Sequence, residues 1–272
     1  MNQVVSVEIS APIAKLHFNG PPVNAMNLDF VSGLEMALQQ IEEEPEISVL
    51  LLLSDLPKIF SAGADAKWFA QVLQERGDKG FVETFKAFSE RLRSIMLRLH
   101  EGPWLSIAVL DGHAVAGGME LASACDFRFA SDDDGLLFSL PEGSLFGAIP
   151  SGGGGTQYLV RLLGEAATLD LILSGAQLTP AEAHRMGWVN RLFQKSELLP
   201  QSEKYALQVG THATRFAIPF AKRALYGLSG KSIGDAIHEE QALFFNSLDK
   251  IPFIDGVRNF SKRYGGHGGE MG

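Results

Sequence analysis

The sequence predicts an α/β protein built on a largely parallel sheet, and three observations carry that expectation. The runs SVLLLLS (48–54) and LSIAVL (105–110) are short and apolar without alternation, the mark of strands buried on both faces. Amphipathic helical stretches separate the strand-like runs, and the strand–helix order continues past residue 170. After about residue 200 only helical patterns follow.

The elements come in order. Residues 4–10 and 13–18 are β-branched or alternating around Ala11-Pro12 and read as a β-hairpin. Asn27 caps a helix through about Glu44, with Phe30, Val31, Leu34, Leu38 and Ile41 on one face. The first buried strand follows, then a long helix over Gly80–His100 that turns Phe81, Phe85, Phe88, Leu92, Ile95, Met96 and Leu99 inward. The second buried strand leads to a helix at 119–125. C-terminal helices are expected at 202–212, 214–226, 232–247 and 252–263, and the tail GGHGGEMG is expected to be disordered. No repeat of fixed period stands out.

Composition excludes several classes. The 272 residues are 46% hydrophobic and 20% charged, which suits an ordinary globular chain with ample core. A formal net charge of −9 argues against a nucleic-acid or anionic-membrane surface. The only acidic runs, Glu42–Glu44 and Asp132–Asp134, read as solvated helix ends or loops. Cys125 is the single cysteine, so no intrachain disulfide forms and no thiolate cluster holds zinc. The start MNQVVSVEIS has neither the basic nor the apolar region of a secretory signal, no apolar run approaches a membrane span, and the final EMG is no known address. A cytoplasmic location is the expectation.

Familiar catalytic signatures are missing. Gly143-Ser144 has the wrong spacing to Gly147 for a nucleophile elbow, there is no H-E-x-x-H, and the seven histidines are scattered, so no metal site is expected. PSGGGGTQ (150–157) lacks the Gly-Lys-Ser/Thr ending of a phosphate loop; its glycines allow close backbone approach before a helix from near Thr156.

FSAGAD (60–65) and HAVAGGMEL (113–121) follow the two buried strands, and ligands collect at the carboxyl ends of strands in such sheets. Both loops are rich in Ala and Gly. Two of their N–H groups converging on one point make an oxyanion hole; two unrelated tight turns are the alternative.

One residue is out of place. GHAVAGGMELASACD (112–126) is nearly all small or apolar, yet it contains Glu120. A carboxylate there costs several kcal/mol, to order of magnitude, unless it is paired, hydrogen-bonded or protonated. Glu120 is either a working acid or base, or a helix-start acid gaining roughly 0.3–1 kcal/mol from the dipole.

FSAGAD, AGGMELASACD, LPE (140–142) and IPSGGGGTQ, in this order, resemble the crotonase family of enoyl-CoA hydratases and isomerases. NGPPVNAMN (19–27), LSGAQLTPAEAHRMGWVN (173–190) and DGVRNFSKR (255–263) are similar as well, so the resemblance covers nearly the whole chain. It implies a crotonase-like β-β-α spiral core over residues 1–200, carrying the acyl-CoA site. A helical region over 201–272 would assemble a homotrimer or a dimer of trimers, with 265–272 as the loose tail. The implied substrate is an acyl-CoA thioester, with coenzyme A part of the substrate and no separate cofactor.

The resemblance further implies an oxyanion hole on the backbone N–H groups of Ala64 and Gly117. Ala62, Ala64 and Ala66 line the adenine pocket, with Asp65 in the same segment and Val23 and Ala25 beside the coenzyme. Lys262 approaches its phosphates, or else is an ordinary exposed lysine. In the hydratase branch Glu120 and Glu142 hold one water over the C2=C3 bond, whereas many isomerases keep only the second glutamate. Without the resemblance, Glu142 reads as a loop acid after Pro141.

The sequence departs from the family pattern in three places. The Glu120–Glu142 span is longer, with SDDDG (131–135) as the insertion; EGSLFGAIPSGGGG is longer on each side of Pro150; and NGPPVN lacks the usual basic residue. Phe244, Phe245, Leu248, Phe253, Val257 and Phe260 give the C-terminal helices more apolar surface than a small core needs, which marks an interface. Hydration is the first expectation. Double-bond isomerisation with Glu142 alone as proton shuttle is the second, carrier-protein-bound dehydration a variant, and a catalytically inactive CoA-binding scaffold the alternative of another class. Trp68, Phe69 and segment 71–88 shape the acyl pocket without naming the acyl group.

Overall fold

Residues 4–147, 152–212, 217–248 and 253–264 are described in the computed structural model. The tail at 265–272 and residues 148–151 lie outside the described residues.

Strands β1 (Val5–Ser10) and β2 (Ile13–Phe18) form the expected antiparallel hairpin, with Val5 opposite Phe18. Helix α1 (Leu28–Glu42) starts where Asn27 Oδ1 accepts the Asp29 and Phe30 N–H groups at 3.1 Å each. Such a cap is worth about 1 kcal/mol. Phe30, Val31, Leu34, Leu38 and Ile41 are all buried beneath it.

Strand β3 (Val49–Ser54) runs parallel to β2 and is buried along almost its whole length, as its unbroken apolar run predicts. A short strand, β4 (Lys58–Ser61), follows before helix α2 (Ala66–Glu101). The expected start at Gly80 is therefore corrected. Asp65 caps α2, and the helix is broken at Gly77, whose φ/ψ of 63/−177 is not helical. The two limbs fold back on each other: Phe69 packs on Phe81, Phe85 and Phe88 at 5.4–5.7 Å between ring centroids, far closer than a straight helix would bring them. Phe88, Leu92, Ile95, Met96 and Leu99 are buried as expected, but Phe85 is exposed and Phe81 half-buried. Both face the short first limb rather than the core.

The same plan recurs twice. Strands β5 (Leu105–Leu110) and β6 (Gly112–Val115) lead to helix α3 (Gly117–Ala124); β7 (Phe127–Ser131) and β8 (Phe138–Ser139) lead to α4 (Glu142–Phe146). In each unit the first strand joins a six-stranded sheet and the second a four-stranded one. β3, β5 and β7 are parallel neighbours in the first sheet, and β4, β6 and β8 parallel neighbours in the second. The unit escapes a search for fixed sequence periods because its helix varies from 36 residues to five.

Helices α5 (Gly155–Leu163) and α6 (Glu165–Ser174), strand β9 (Gln177–Leu178), helix α7 (Pro180–Arg185) and strand β10 (Arg191–Phe193) complete the two sheets. Helix α8 (Lys195–His212) starts earlier than the expected 202 and contains Pro200 in its second turn, where the ring leaves the Ser196 carbonyl without its helical N–H donor. Helix α9 (Ala217–Tyr226) is pinned by Lys222, buried and bonded to Asp126 Oδ2 at 2.9 Å and to the Trp104 carbonyl at 3.0 Å. Helices α10 (Ile233–Ser247) and α11 (Phe253–Tyr264) end the described chain. No helix among the described residues is long and apolar enough to cross a membrane.

Candidate active site

The parallel order of β4, β6 and β8 lines up the loops at their carboxyl ends, where open α/β sheets collect ligands. The glycine-rich loops thus follow β4 and β6 of the second sheet, one strand later than the sequence places them.

The loop after β4 is stitched to residues 23–26. Ala62 N–H donates to the Val23 carbonyl at 3.0 Å, Met26 N–H to Gly63 at 2.8 Å, and Asp65 N–H to Met26 at 3.0 Å. Asn24 is fully buried and holds the Phe60 carbonyl at 2.9 Å. Val23, Ala25, Ala62, Ala64 and Ala66 therefore form one partly or fully exposed surface. The Asp65 carboxylate is taken up with capping: Oδ1 accepts the Lys67 and Trp68 N–H groups at 3.1 Å, and Oδ2 accepts Asn27 Nδ2 at 3.3 Å.

The loop after β6 meets this segment edge to edge. Gly63 has φ +80, and a Cβ there would lie 2.6 Å from the Gly117 nitrogen, so no side chain fits. A Cβ on Gly117 would in turn lie 3.6 Å from the Ala64 nitrogen, which makes the two amide groups close neighbours. The turn into α3 bends at Ala116, whose φ/ψ of 52/−127 is costly for a residue with a Cβ, on the order of 1–3 kcal/mol. The strain is held because all eight residues of α3 are buried and its far end is clamped. Fully buried Arg128 donates to the Ala122 carbonyl at 3.3 Å and to Cys125 at 2.7 Å, placing positive charge at the helix C-terminus. Burial lowers its pKa only to about 10, so it stays charged. Cys125 is inert, its thiol pushed up to about 12 by burial.

Glu120 lies in the first turn of α3, only 3% exposed. Its Oε1 accepts the Gly155 N–H at 2.8 Å and the Gly153 N–H at 3.3 Å. A Cβ on Gly155 would fall 2.5 Å from Glu120 Cγ, so the glycine run of IPSGGGGTQ serves the carboxylate directly. Burial raises the Glu120 pKa, and the two N–H bonds oppose that shift. Glu142 opens α4, half-buried, with Oε2 buried and without a hydrogen-bond partner among the described residues. Burial, with the Glu120 charge adding to it, pushes its pKa up to about 7.

Two carboxyls with unlike surroundings can divide acid and base duties near neutral pH. Two amides lying side by side at a strained turn can hold a carbonyl oxygen that gains charge. Lys262 lies exposed on α11 and makes no ion pair among the described residues. Sequence reasoning missed Gly153 and Gly155 as donors to Glu120, and Arg128 as the clamp of α3. A buried arginine has no signature of its own in the sequence.

The family model for enoyl-CoA hydratase/isomerase matches residues 8–264. A probable enoyl-CoA hydratase of Mycobacterium leprae is 32% identical over 243 residues, 89% of this chain and 88% of that protein. The mouse mitochondrial enoyl-CoA hydratase domain-containing protein 2 is 39% identical over 186 residues, and this match spans 68% of the chain but 59% of the longer mouse protein. Among solved structures, an enoyl-CoA hydratase of Geobacillus kaustophilus superposes with a TM-score of 0.84 at 31% identity, covering 97% of this chain and 95% of the other.

Proposed function

Because the chain belongs to the enoyl-CoA hydratase/isomerase family, which acts on acyl-CoA thioesters, we propose that it adds water across the 2,3-double bond of an enoyl-CoA. The observation that carries this reading is the carboxyl pair: Glu120 kept in reach of ionisation by two N–H bonds, and Glu142 raised toward neutrality with an unsatisfied oxygen.

The steps follow from these environments. The thioester oxygen lies between the Ala64 and Gly117 N–H groups, which stabilise it as electrons shift from the double bond. Ionised Glu120 takes a proton from a water whose oxygen bonds to C3, and protonated Glu142 delivers its proton to C2. Coenzyme A runs along Val23, Ala25, Ala62 and Ala66, with Lys262 near its phosphates. The protein works as a homotrimer or a dimer of trimers, supported by exposed Phe245, Phe253, Ile254 and Val257 on the last two helices.

Ultraviolet absorbance tests the reaction. A short trans-2-enoyl-CoA should lose its conjugated band on mixing with the protein and give the 3-hydroxyacyl thioester. A 3-enoyl-CoA that gains the band, with no loss from the 2-enoyl compound, would replace hydration by isomerisation.

A further inference from the structure

Beside the two carboxylates stands a third polar group. Six buried side-chain polar atoms lack a hydrogen-bond partner among the described residues, and two of them belong to this site: Glu142 Oε2 and Ser89 Oγ. Ser89 lies on the second limb of α2, three residues before Leu92 and seven before Met96, so helical spacing puts it in the buried apolar stripe. A leucine or alanine would suit that position better.

Serines and threonines elsewhere on α2 and on other helices show what Ser89 does not do. Thr84, Ser123, Ser174 and Ser202 each donate to the carbonyl four residues earlier, at 2.7–2.8 Å. That local bond is the usual outlet for a hydroxyl inside a helix. Ser89 makes no such bond, so its hydroxyl is buried at a cost in lost hydration that nothing in the described chain offsets.

The direction it faces is given by Gly152. Among the described residues, a Cβ built there would have Glu120 Oε2 and Ser89 Oγ as its neighbours within 4 Å, each at 3.9 Å. The two oxygens thus border one gap, and their separation is at most twice that distance. A water bonded to both spans up to about 5.6 Å, which falls inside the bound. The other Glu120 oxygen is already fixed by Gly153 and Gly155.

Resting on the hydratase reading, we infer that Ser89 is a water-positioning residue, holding the attacking water between its hydroxyl and Glu120 Oε2. It exchanges no proton. The water gives one proton to Glu120 as its oxygen bonds to C3, while Glu142 supplies the proton that reaches C2, so atoms and charge balance without Ser89. Its part is to fix the water's place and orientation. That predicts a role in hydration alone, since exchange of an α-proton through Glu142 needs no such water.

The test compares Ser89→Ala and Ser89→Thr with the parent in two reactions. These are hydration of a short trans-2-enoyl-CoA and exchange of α-protons of the matching saturated acyl-CoA in heavy water. Ser89→Ala should lower kcat for hydration about tenfold or more, with KM within about twofold. Its α-proton exchange and melting temperature should stay near the parent's, and Ser89→Thr should restore hydration. Parent-like hydration by Ser89→Ala, equal loss of both reactions, or a threonine variant as slow as the alanine one would each overturn the assignment. A parent that hydrates no enoyl-CoA would sink the hydratase reading instead, before any variant is compared.

Discussion

Helices α3 and α11 are both short and rich in apolar residues, yet they sit at opposite extremes of burial. All eight residues of α3 are buried, one of them a glutamate. On α11, Phe253, Ile254, Val257 and Phe260 are exposed, the last by 65%. Small residues explain the first case. Gly117, Gly118, Ala122 and Ala124 let strands and loops close around α3 on every side, so a carboxylate placed there meets backbone N–H groups rather than water. The large apolar residues of α11 are left exposed by the described chain, which is the observation behind the proposed subunit contact. On the proposed function, one helix would hold the chemistry and the other would face another subunit.

The largest expected effect tests the chemistry of α3. Glu120→Gln keeps the shape and the N–H bonds but cannot take a proton. It should slow hydration by at least about 10²-fold with little change in KM, read by loss of enoyl absorbance. A parent-like rate would reduce Glu120 to a helix-start acid and erase the contrast with α11.

The next effect is on pH dependence. Glu142 has its pKa raised from the ordinary 4.5 to about 7, and the donor to C2 must be protonated. Activity should therefore fall up to tenfold per unit above about pH 7, and fall again toward acid pH as Glu120 takes up its own proton, with the pair titrating together. The sign carries over to stability. The folded chain keeps a proton that the unfolded chain releases between pH 4.5 and 7, so stability falls as pH rises through that window. Denaturant titrations should show this slope weakened in Glu142→Gln.

For α11 the expected change is in assembly rather than rate per site. Val257→Asp places a charge on the exposed apolar face and should shift sedimentation toward smaller species. A sedimentation profile that does not change would leave that face without its partner role. The smallest effect concerns Lys262. Lys262→Ala should weaken coenzyme A binding a few-fold at low salt, vanishing at high salt, with turnover of bound substrate unchanged.

Much of this contrast was legible before folding was considered. The sequence by itself determined the hairpin, α1 with its Asn27 cap, the buried strands β3 and β5, the helices after residue 200, and the oddity of Glu120. Each rests on a local rule: a side-chain period, a cap, or the cost of a buried charge. Only the tertiary structure decided the rest. Strands β4, β6 and β8 have two to four residues, too few for alternation to declare itself, so the second sheet and the exact strands carrying the loops were hidden. The reversal of α2 at Gly77 turned Phe85 outward because its partner, Phe69, lies on the other limb. Gly153 and Gly155 reach Glu120 from 33 and 35 residues away, Ser89 borders the same gap from 31 residues away, and no local pattern encodes an arrangement made only when distant segments meet.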